Sequence, residues 1–306
     1  PVVTWLRALL APAQTVASST SFSPSVSVIV CAFNEEDSIL QTLASLTTQT
    51  YAQSSLEIIV ASDGSTDKTN ALVRDLNASN VRLIELPRQG KVPTMNAAIA
   101  AASGEILIFT DANSQLEKHA IARMVGDFAD PSVGGVAGVQ RYRVEDNAGN
   151  GSDDNDGEQV YWGLEHSLKL WQSRAGSVTS ATGALHALRR SLIEELPSGV
   201  TDDFAISTLA VLKGFRLVYN DTAIAYEPPA STKSDFARKR RIMTRGLRGV
   251  YLRRALLNPA RFGTYAHQLL VQKVLRRLAF IPMGIALLAS LILAFNSPLF
   301  AVLSAL

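Results

Sequence analysis

The chain of 306 residues has one cysteine, Cys31, which excludes an internal disulfide framework and any cysteine-rich metal site. Charged residues are also scarce, 18% against 47% hydrophobic, which excludes a disordered chain and is greasy for a soluble enzyme. Acids almost vanish toward the C-terminus. Residues 228–306 carry 13 Lys/Arg and one acid, Asp235, whereas residues 1–227 carry 16 Lys/Arg and 26 Asp/Glu. The net charge of +2 therefore conceals an acidic body and a basic tail, which implies two environments. No GxGxxG follows the first strand-like run and no GxxxxGK[ST] occurs, which argues against a dinucleotide-binding oxidoreductase and a P-loop NTPase.

No charged residue occurs from Leu278 to Leu306. The run LAFIPMGIALLASLILAF (278–295) has 18 residues, close to the roughly 20 that a helix needs to cross about 30 Å of hydrocarbon. Asn296, Ser297 and Pro298 interrupt it, and PLFAVLSAL (298–306) reads as the start of a second span, so the chain is expected to be a piece of a longer membrane protein. A buried core helix is the competing reading. Lys273, Arg276 and Arg277 precede the run, and the positive-inside rule puts the body on the cytoplasmic side of the cell (inner) membrane. In residues 236–277 arginines alternate with Phe236, Tyr251, Leu256 and Phe262, as in helices lying among lipid headgroups. Nucleic-acid binding competes for such a run, and the adjacent apolar stretch favours the membrane. PVVTWLRALLAP (1–12) is apolar, too short to span, and lacks the basic start of a signal peptide.

The body alternates strand and helix patterns. Strands are expected at 25–33, 56–62, 81–87 and 105–113, with helices over 34–49, within 63–76, and over 92–102 and 204–215. Acids are expected in the first turn of the 34–49 helix, and Ser65 or Thr66 as a cap of the next. Such repetition predicts an α/β fold with a mostly parallel sheet and ligands at the carboxyl ends of its strands. Polar clusters fall at those ends: Asn34–Asp37, Asp63–Asp67 and Asp111–Asn113. The acidic stretch 145–158 reads as a surface loop, and its spacing does not match an EF-hand.

Each cluster is ambiguous alone. Asp63 suits either an ordinary turn or hydrogen bonding to a ribose. Asp111 and Asn113, two oxygen donors one residue apart, suit either a turn or a divalent cation shared with a diphosphate. Asp202 and Asp203 suit either the first turn of a helix or a general base.

Their order carries more. VSVIVCAFNEEDSI, IIVASDGSTDKT, RQGKVPTMNAA, ILIFTDANS, YWGLEHSLK, ATGALHALRRSLI, TDDFAISTLAVLKGFRLVY and FARKRRIMTRGL follow one another between Val26 and Arg248. In this order the chain resembles a family 2 inverting glycosyltransferase of the membrane-anchored, polysaccharide-synthase-like branch. The resemblance implies a GT-A nucleotide-sugar-binding domain over 25–235, after an N-terminal segment (1–24). Amphipathic interfacial helices (236–277) and a transmembrane segment (278–306) follow. By position it implies that Ala32, Glu35, Asp63, Lys91 and Asp111 bind the nucleotide sugar, that Asp111 and Asn113 hold Mg²⁺ or Mn²⁺, and that Asp203 is the base. Gly183 and Asp202 fall on the acceptor side. Arg238 and Arg241, also implied to bind the nucleotide sugar, stand in the place of a QxxRW motif whose Trp is replaced by Ile242, which bears on processivity. His186 reads as a half-buried structural residue. The implied partners are a nucleotide-sugar donor of the UDP series, a glycan or lipid-linked acceptor and the bilayer, with no nucleic acid. A non-catalytic scaffold would lose the acids, yet Asp63, Asp111 and Asp203 are all present.

Overall fold

In the computed structural model, residues 14–143, 154–228 and 235–294 are described, with the side chains of 154–162, 235–239 and 294 left aside. The segments 1–12 and 298–306, and most of the acidic stretch 145–158, lie outside the described residues. The last five residues of that stretch, from Asp154, instead open a helix.

Eight strands form one sheet in the order β3-β2-β1-β4-β7-β6-β8-β5. These are β1 (Val26–Ala32), β2 (Leu56–Asp63), β3 (Val81–Leu86), β4 (Ile106–Asp111), β5 (Gln115–Leu116), β6 (Val133–Tyr142), β7 (His186–Arg189) and β8 (Arg216–Glu227). The half made of β3, β2, β1 and β4 is all parallel. On its other side β7 runs antiparallel to both β4 and β6, while β8 runs parallel to β6. This is the mostly parallel α/β sheet that the alternating pattern predicts.

Successive strand residues point to opposite faces, and both faces are covered. On one face Val28, Val30, Ile58 and Ile108 meet Ile39, Leu43 and Leu46 of α1 (Ile39–Thr47). On the other face Ile29, Ile59, Leu107 and Phe109 join Met95 of the 91–101 helix and Leu209 of the 202–212 helix. Burial on both sides is why these strands read as unbroken apolar runs rather than alternating ones.

Helices α2 (Thr69–Asp75), α3 (Lys91–Ala101), α4 (Ala120–Gly126), α5 (Asp154–Arg174), α6 (Asp202–Leu212) and α7 (Asp235–Leu252) complete the body. Two boundaries differ from expectation. Helix α1 begins at Ile39, so Glu35–Asp37 lie in the preceding loop rather than in its first turn. The second helix begins at Thr69, and Ser65 and Thr66 are spent on Asn34 instead of capping it.

Beyond α7 come α8 (Pro259–Phe262), α9 (Thr264–Leu269), a π-helical segment Leu270–Leu275, α10 (Arg276–Leu278) and α11 (Phe280–Ala294). Tyr265 and Leu269 are buried in the second core layer, so this stretch packs on the body. Helix α11 is the reverse, with Phe280, Met283, Ile285, Leu288 and Ile292 all more than 60% exposed. Among the described residues no single helix is long and apolar enough to cross a membrane. Thr264–Leu278 and Phe280–Leu293 meet that length and composition only as a pair bent by 45°. Pro282 explains the break: it offers no N–H to the carbonyl of Leu278, and its ring crowds that carbonyl. Leu43 is fully buried, so Leu43→Ala is expected to cost about 2–5 kcal/mol, read as a fall in melting temperature.

Candidate active site

Strand register brings the polar clusters together. Cys31 is level with Ala61 on one side and Asp111 on the other, so β1, β2 and β4 end along one line. The chain passes from β1 to β2 and β3 on one side and then to β4 on the other, which opens a crevice at this edge.

The loops after β1 and β2 are tied to each other. Asn34 takes a left-handed conformation (φ 54°) and its Oδ1 accepts the Thr66 amide at 2.8 Å. The Glu35 amide donates to Thr69 Oγ1 at 2.8 Å, and the Glu35 carboxylate accepts the Ser38 hydroxyl. Ala32 is buried at the end of β1.

Asp63 is 3% exposed at the end of β2. Its Oδ1 accepts the Gln89 and Gly90 amides at 2.7 and 3.0 Å, and its Oδ2 pairs with Arg88. The Arg88 guanidinium also lies 3.3 Å from the centre of the Phe33 ring. Burial alone would raise the Asp63 pKa, but the two amides and Arg88 outweigh it and hold the carboxyl below its usual range. Asp63 thus folds the 88–90 loop, a role that its turn-like sequence does not reveal. Gly64 is required beside it, because φ is +68° and a Cβ would lie 2.7 Å from the Arg88 nitrogen.

That loop delivers Lys91 as the first residue of α3. Its ammonium bridges two carboxylates, Asp111 Oδ1 at 2.7 Å and Asp202 Oδ2 at 2.9 Å. Burial works against the charged lysine, yet the two carboxylates push its pKa well above the ordinary value. Burial likewise raises Asp202, and the charge and hydrogen bond of Lys91 reverse this and hold it low. The pairing of Lys91 with Asp202, more than a hundred residues apart, has no signal in the sequence.

Gly183 closes the other side of Asp111. A Cβ there would sit 3.1 Å from Asp111 Oδ2, so glycine keeps that oxygen accessible. Its segment is fixed to β4, since the Thr110 hydroxyl donates to the Ala184 carbonyl at 2.7 Å. Asp203 lies next to Asp202 in the first turn of α6 and is half-buried. No hydrogen bond or ion pair engages its carboxylate among the described residues. His186, read from sequence as half-buried, is 1% exposed and stacks on Phe109 at 5.0 Å. Its Nδ1 lies 3.1 Å from the Thr182 carbonyl, and burial lowers its pKa, so it is a neutral structural residue.

Asn113 lies two residues beyond Asp111, half-exposed on the β4–β5 loop. Among the described residues no cluster of three or more His, Cys, Asp or Glu side chains could hold a metal unaided. The open Oδ2 of Asp111, the Asn113 amide and a carboxylate pair already bridged by a cation fit an ion that takes its remaining ligands from a diphosphate. Arg241 is exposed on α7 and forms no ion pair among the described residues. Arg238 is on the same helix and its side chain is not described.

The low pKa of Asp63 predicts a pH effect. Its stabilising contribution is complete above the ordinary carboxylate pKa near ~4 and is lost as pH falls through the depressed value. Asp63→Asn should therefore melt several degrees lower at pH 7, and its gap to the wild type should narrow below about pH 4. Melting curves from pH 3 to pH 8 check this.

Residues 27–197 match the family described as Glycosyl transferase family 2. An N-acetylglucosaminyltransferase of Azorhizobium caulinodans is 32% identical over 222 residues, 66% of this chain and 54% of that protein. A poly-beta-1,6-N-acetyl-D-glucosamine synthase of Staphylococcus aureus is 26% identical over 208 residues, 66% of this chain and 49% of that protein. The chain thus spans about half the length of these relatives. In fold it resembles a mannosyltransferase from Pyrobaculum calidifontis in complex with GDP-Man and Mn²⁺, with a TM-score of 0.67 and 24% identity, covering 100% of this chain and 90% of that one. It also resembles S. aureus TarS 1–349 in complex with UDP-GlcNAc, with a TM-score of 0.54 and 18% identity over 73% of this chain and 66% of that one. With its α/β sheet of GT-A type and its acids gathered at the strand ends, the chain belongs to glycosyl transferase family 2.

Proposed function

We propose that this protein is a membrane-bound inverting glycosyltransferase. It moves an N-acetylhexosaminyl or hexosyl group from a UDP-sugar to a hydroxyl of a growing cell-surface glycan and forms a β-linkage. The observation that carries this reading is the pair of adjacent carboxylates with different duties: Asp202 is tied to Lys91, whereas Asp203 has no hydrogen bond or ion pair among the described residues. One acid neutralises the donor-side lysine, and the other is left to accept a proton. The relatives named for N-acetylglucosaminyl transfer support the donor class.

The donor lies in the crevice at the ends of β1, β2 and β4, bordered by Ala32, Glu35 and the loop that Asp63 folds. Lys91 turns its positive charge to the diphosphate, on which charge grows as the bond to the sugar breaks. A bound Mg²⁺ or Mn²⁺, held by Asp111 and Asn113, would supply further neutralisation of the leaving diphosphate. Asp203 takes the acceptor hydroxyl proton. The hydroxyl oxygen attacks the anomeric carbon on the face opposite the diphosphate, which departs with the electron pair of the broken bond. One displacement inverts the configuration, and no enzyme nucleophile is required. Cys31 fits this, because burial pushes its thiol up to about 12 and leaves it unreactive at neutral pH.

The exposed apolar faces of α11 support seating at a membrane, and Lys273, Arg276 and Arg277 just before it favour the inner membrane with the catalytic body toward the cytoplasm. A second reading has one observation in its favour. Ile242 stands where the resemblance leads to a Trp, which suits a transferase that adds a single sugar to a lipid-linked acceptor.

Membranes carrying the protein, supplied with UDP-GlcNAc and other UDP-sugars, are expected to release UDP from at least one. Asp203→Asn should lower turnover at least about 100-fold with donor binding retained. Normal turnover in that variant would remove Asp203 from the scheme. EDTA is expected to abolish UDP release, with Mn²⁺ or Mg²⁺ restoring it; unchanged activity in EDTA would sink the cation role of Asp111 and Asn113. Chromatographic product size separates a polymer from a single addition.

A further inference from the structure

The sequence motif over 161–169 has no part in the reaction scheme. It lies on α5, where Glu165, His166 and Lys169 line a cavity of about 180 Å³ together with Val139 of β6, Tyr219 of β8 and Thr182.

Strand register places this cavity at the same sheet edge as the donor crevice. His186 of β7 pairs with Phe109 of β4 on one side and with Ala137 of β6 on the other. Asp111 and Val139 each lie two residues further along their strands, so they share that edge two strand spacings apart, roughly 10 Å. Val139 and Tyr219 belong to the core layer that α6 covers, so the cavity is also on the face of the base helix. The segment before β7 joins the parts. The Ala181 amide donates to Ser207 Oγ at 3.1 Å, and Ser207 is one turn beyond Asp203 on the same face of α6. Thr182 lines the cavity, and Gly183 borders Asp111 Oδ2. Three consecutive residues thus touch the base helix, the cavity and the donor acid. The start of the segment is fixed by Thr179, whose carbonyl accepts the Tyr265 hydroxyl at 2.9 Å and whose own hydroxyl donates to Gln272 Oε1 at 3.2 Å.

Polar groups converge on the cavity. His166 Nδ1 lies 3.0 Å from the Tyr219 hydroxyl, with the two rings edge to face, which holds the tyrosine. The Lys169 ammonium lies 5.6 Å from the centre of the Tyr219 ring and 3.5 Å from the Glu165 carboxylate, a loose pair on successive turns of α5. The side chains of Lys169 and Glu165 are only 14% and 30% exposed. The Thr182 hydroxyl is withdrawn from solvent and has no hydrogen-bond partner among the described residues. A hydroxyl left so costs free energy, and the cavity beside it is where a partner would enter.

We propose that this cavity is an acceptor subsite that takes one hydroxyl-rich sugar ring, on the far side of the 181–183 segment from the donor diphosphate. This rests on the reading of the protein as a glycosyltransferase that uses Asp203 as its base. Sugar hydroxyls donate to Glu165 and accept from Lys169, and the Thr182 hydroxyl takes either part. The phosphate of a lipid-linked acceptor fits less well, because the Glu165 carboxylate repels it. The volume is below the roughly 300–1,000 Å³ of pockets that enclose a drug-sized molecule, which suits one ring and not an oligomer.

Titration calorimetry on the protein purified in detergent tests this without turnover, with oligomers of N-acetylglucosamine, glucose and mannose as probes. At least one oligomer is expected to bind, and UDP should not compete with it. Thr182→Val and Lys169→Met should each weaken that binding about 10-fold with UDP affinity unchanged, while Thr182→Ser, which keeps the hydroxyl, binds as the wild type does. No binding of any oligomer, or equal binding by Thr182→Val and the wild type, overturns the proposal. Binding of inorganic pyrophosphate that Lys169→Met abolishes marks an anion site and overturns it too. Oligomer binding in a protein that releases UDP from no UDP-sugar would sink the donor reading and leave the subsite standing. Melting curves check that the variants fold, and Lys169→Gln replaces Lys169→Met if the methionine variant does not.

Discussion

The bridge from Lys91 to Asp111 and Asp202 is the contact on which the site depends. It joins three elements distant in sequence: the start of α3, the end of β4 and the start of α6. Each partner arrives by a different route. Asp111 is set by parallel pairing with β1, Lys91 by the loop wrapped around Asp63, and Asp202 by a helix whose apolar face fills the second core layer. Two carboxylates this close would repel without the lysine, and a half-exposed lysine alone would have no fixed position. Their mutual neutralisation lets acids gather where, in the proposed reaction, the leaving diphosphate must also be received.

Much of the fold was legible because strand burial on two faces leaves long apolar runs, and helix burial on one leaves a 3.6-residue period. The ends were less legible. Glu35–Asp37 look like the first turn of a helix, but Asn34 reverses the backbone there and commits the loop to the 65–69 turn, so α1 starts at Ile39. Ser65 and Thr66 look like caps for the same reason that they serve as partners, since short hydroxyl side chains bond whatever amide or amide oxygen is near.

The candidate site was legible as residue types in order, not as a network. Asp63, Lys91, Asp111 and Asp203 stand out by motif. Nothing in the sequence tells that Asp63 folds the loop that carries Lys91, or that Lys91 engages Asp202 rather than Asp203. Those assignments depend on three-dimensional register. Lys273 was legible only as one of several basic residues before an apolar run. That Tyr265 and Leu269 pack this stretch against the body appears only in three dimensions.

The π-helical segment at Leu270–Leu275 has a mechanical corollary. Seven residues separate Lys273 from Phe280, roughly 10 Å along a helix. The stretch behaves as a crankshaft: Tyr265 and Gln272 fix its phase at one end, and the apolar helix leaves from the other. One residue more or less between them would turn everything beyond it by about 100° and throw the apolar helix off its heading. Chain length there is thus held by angle more than by reach.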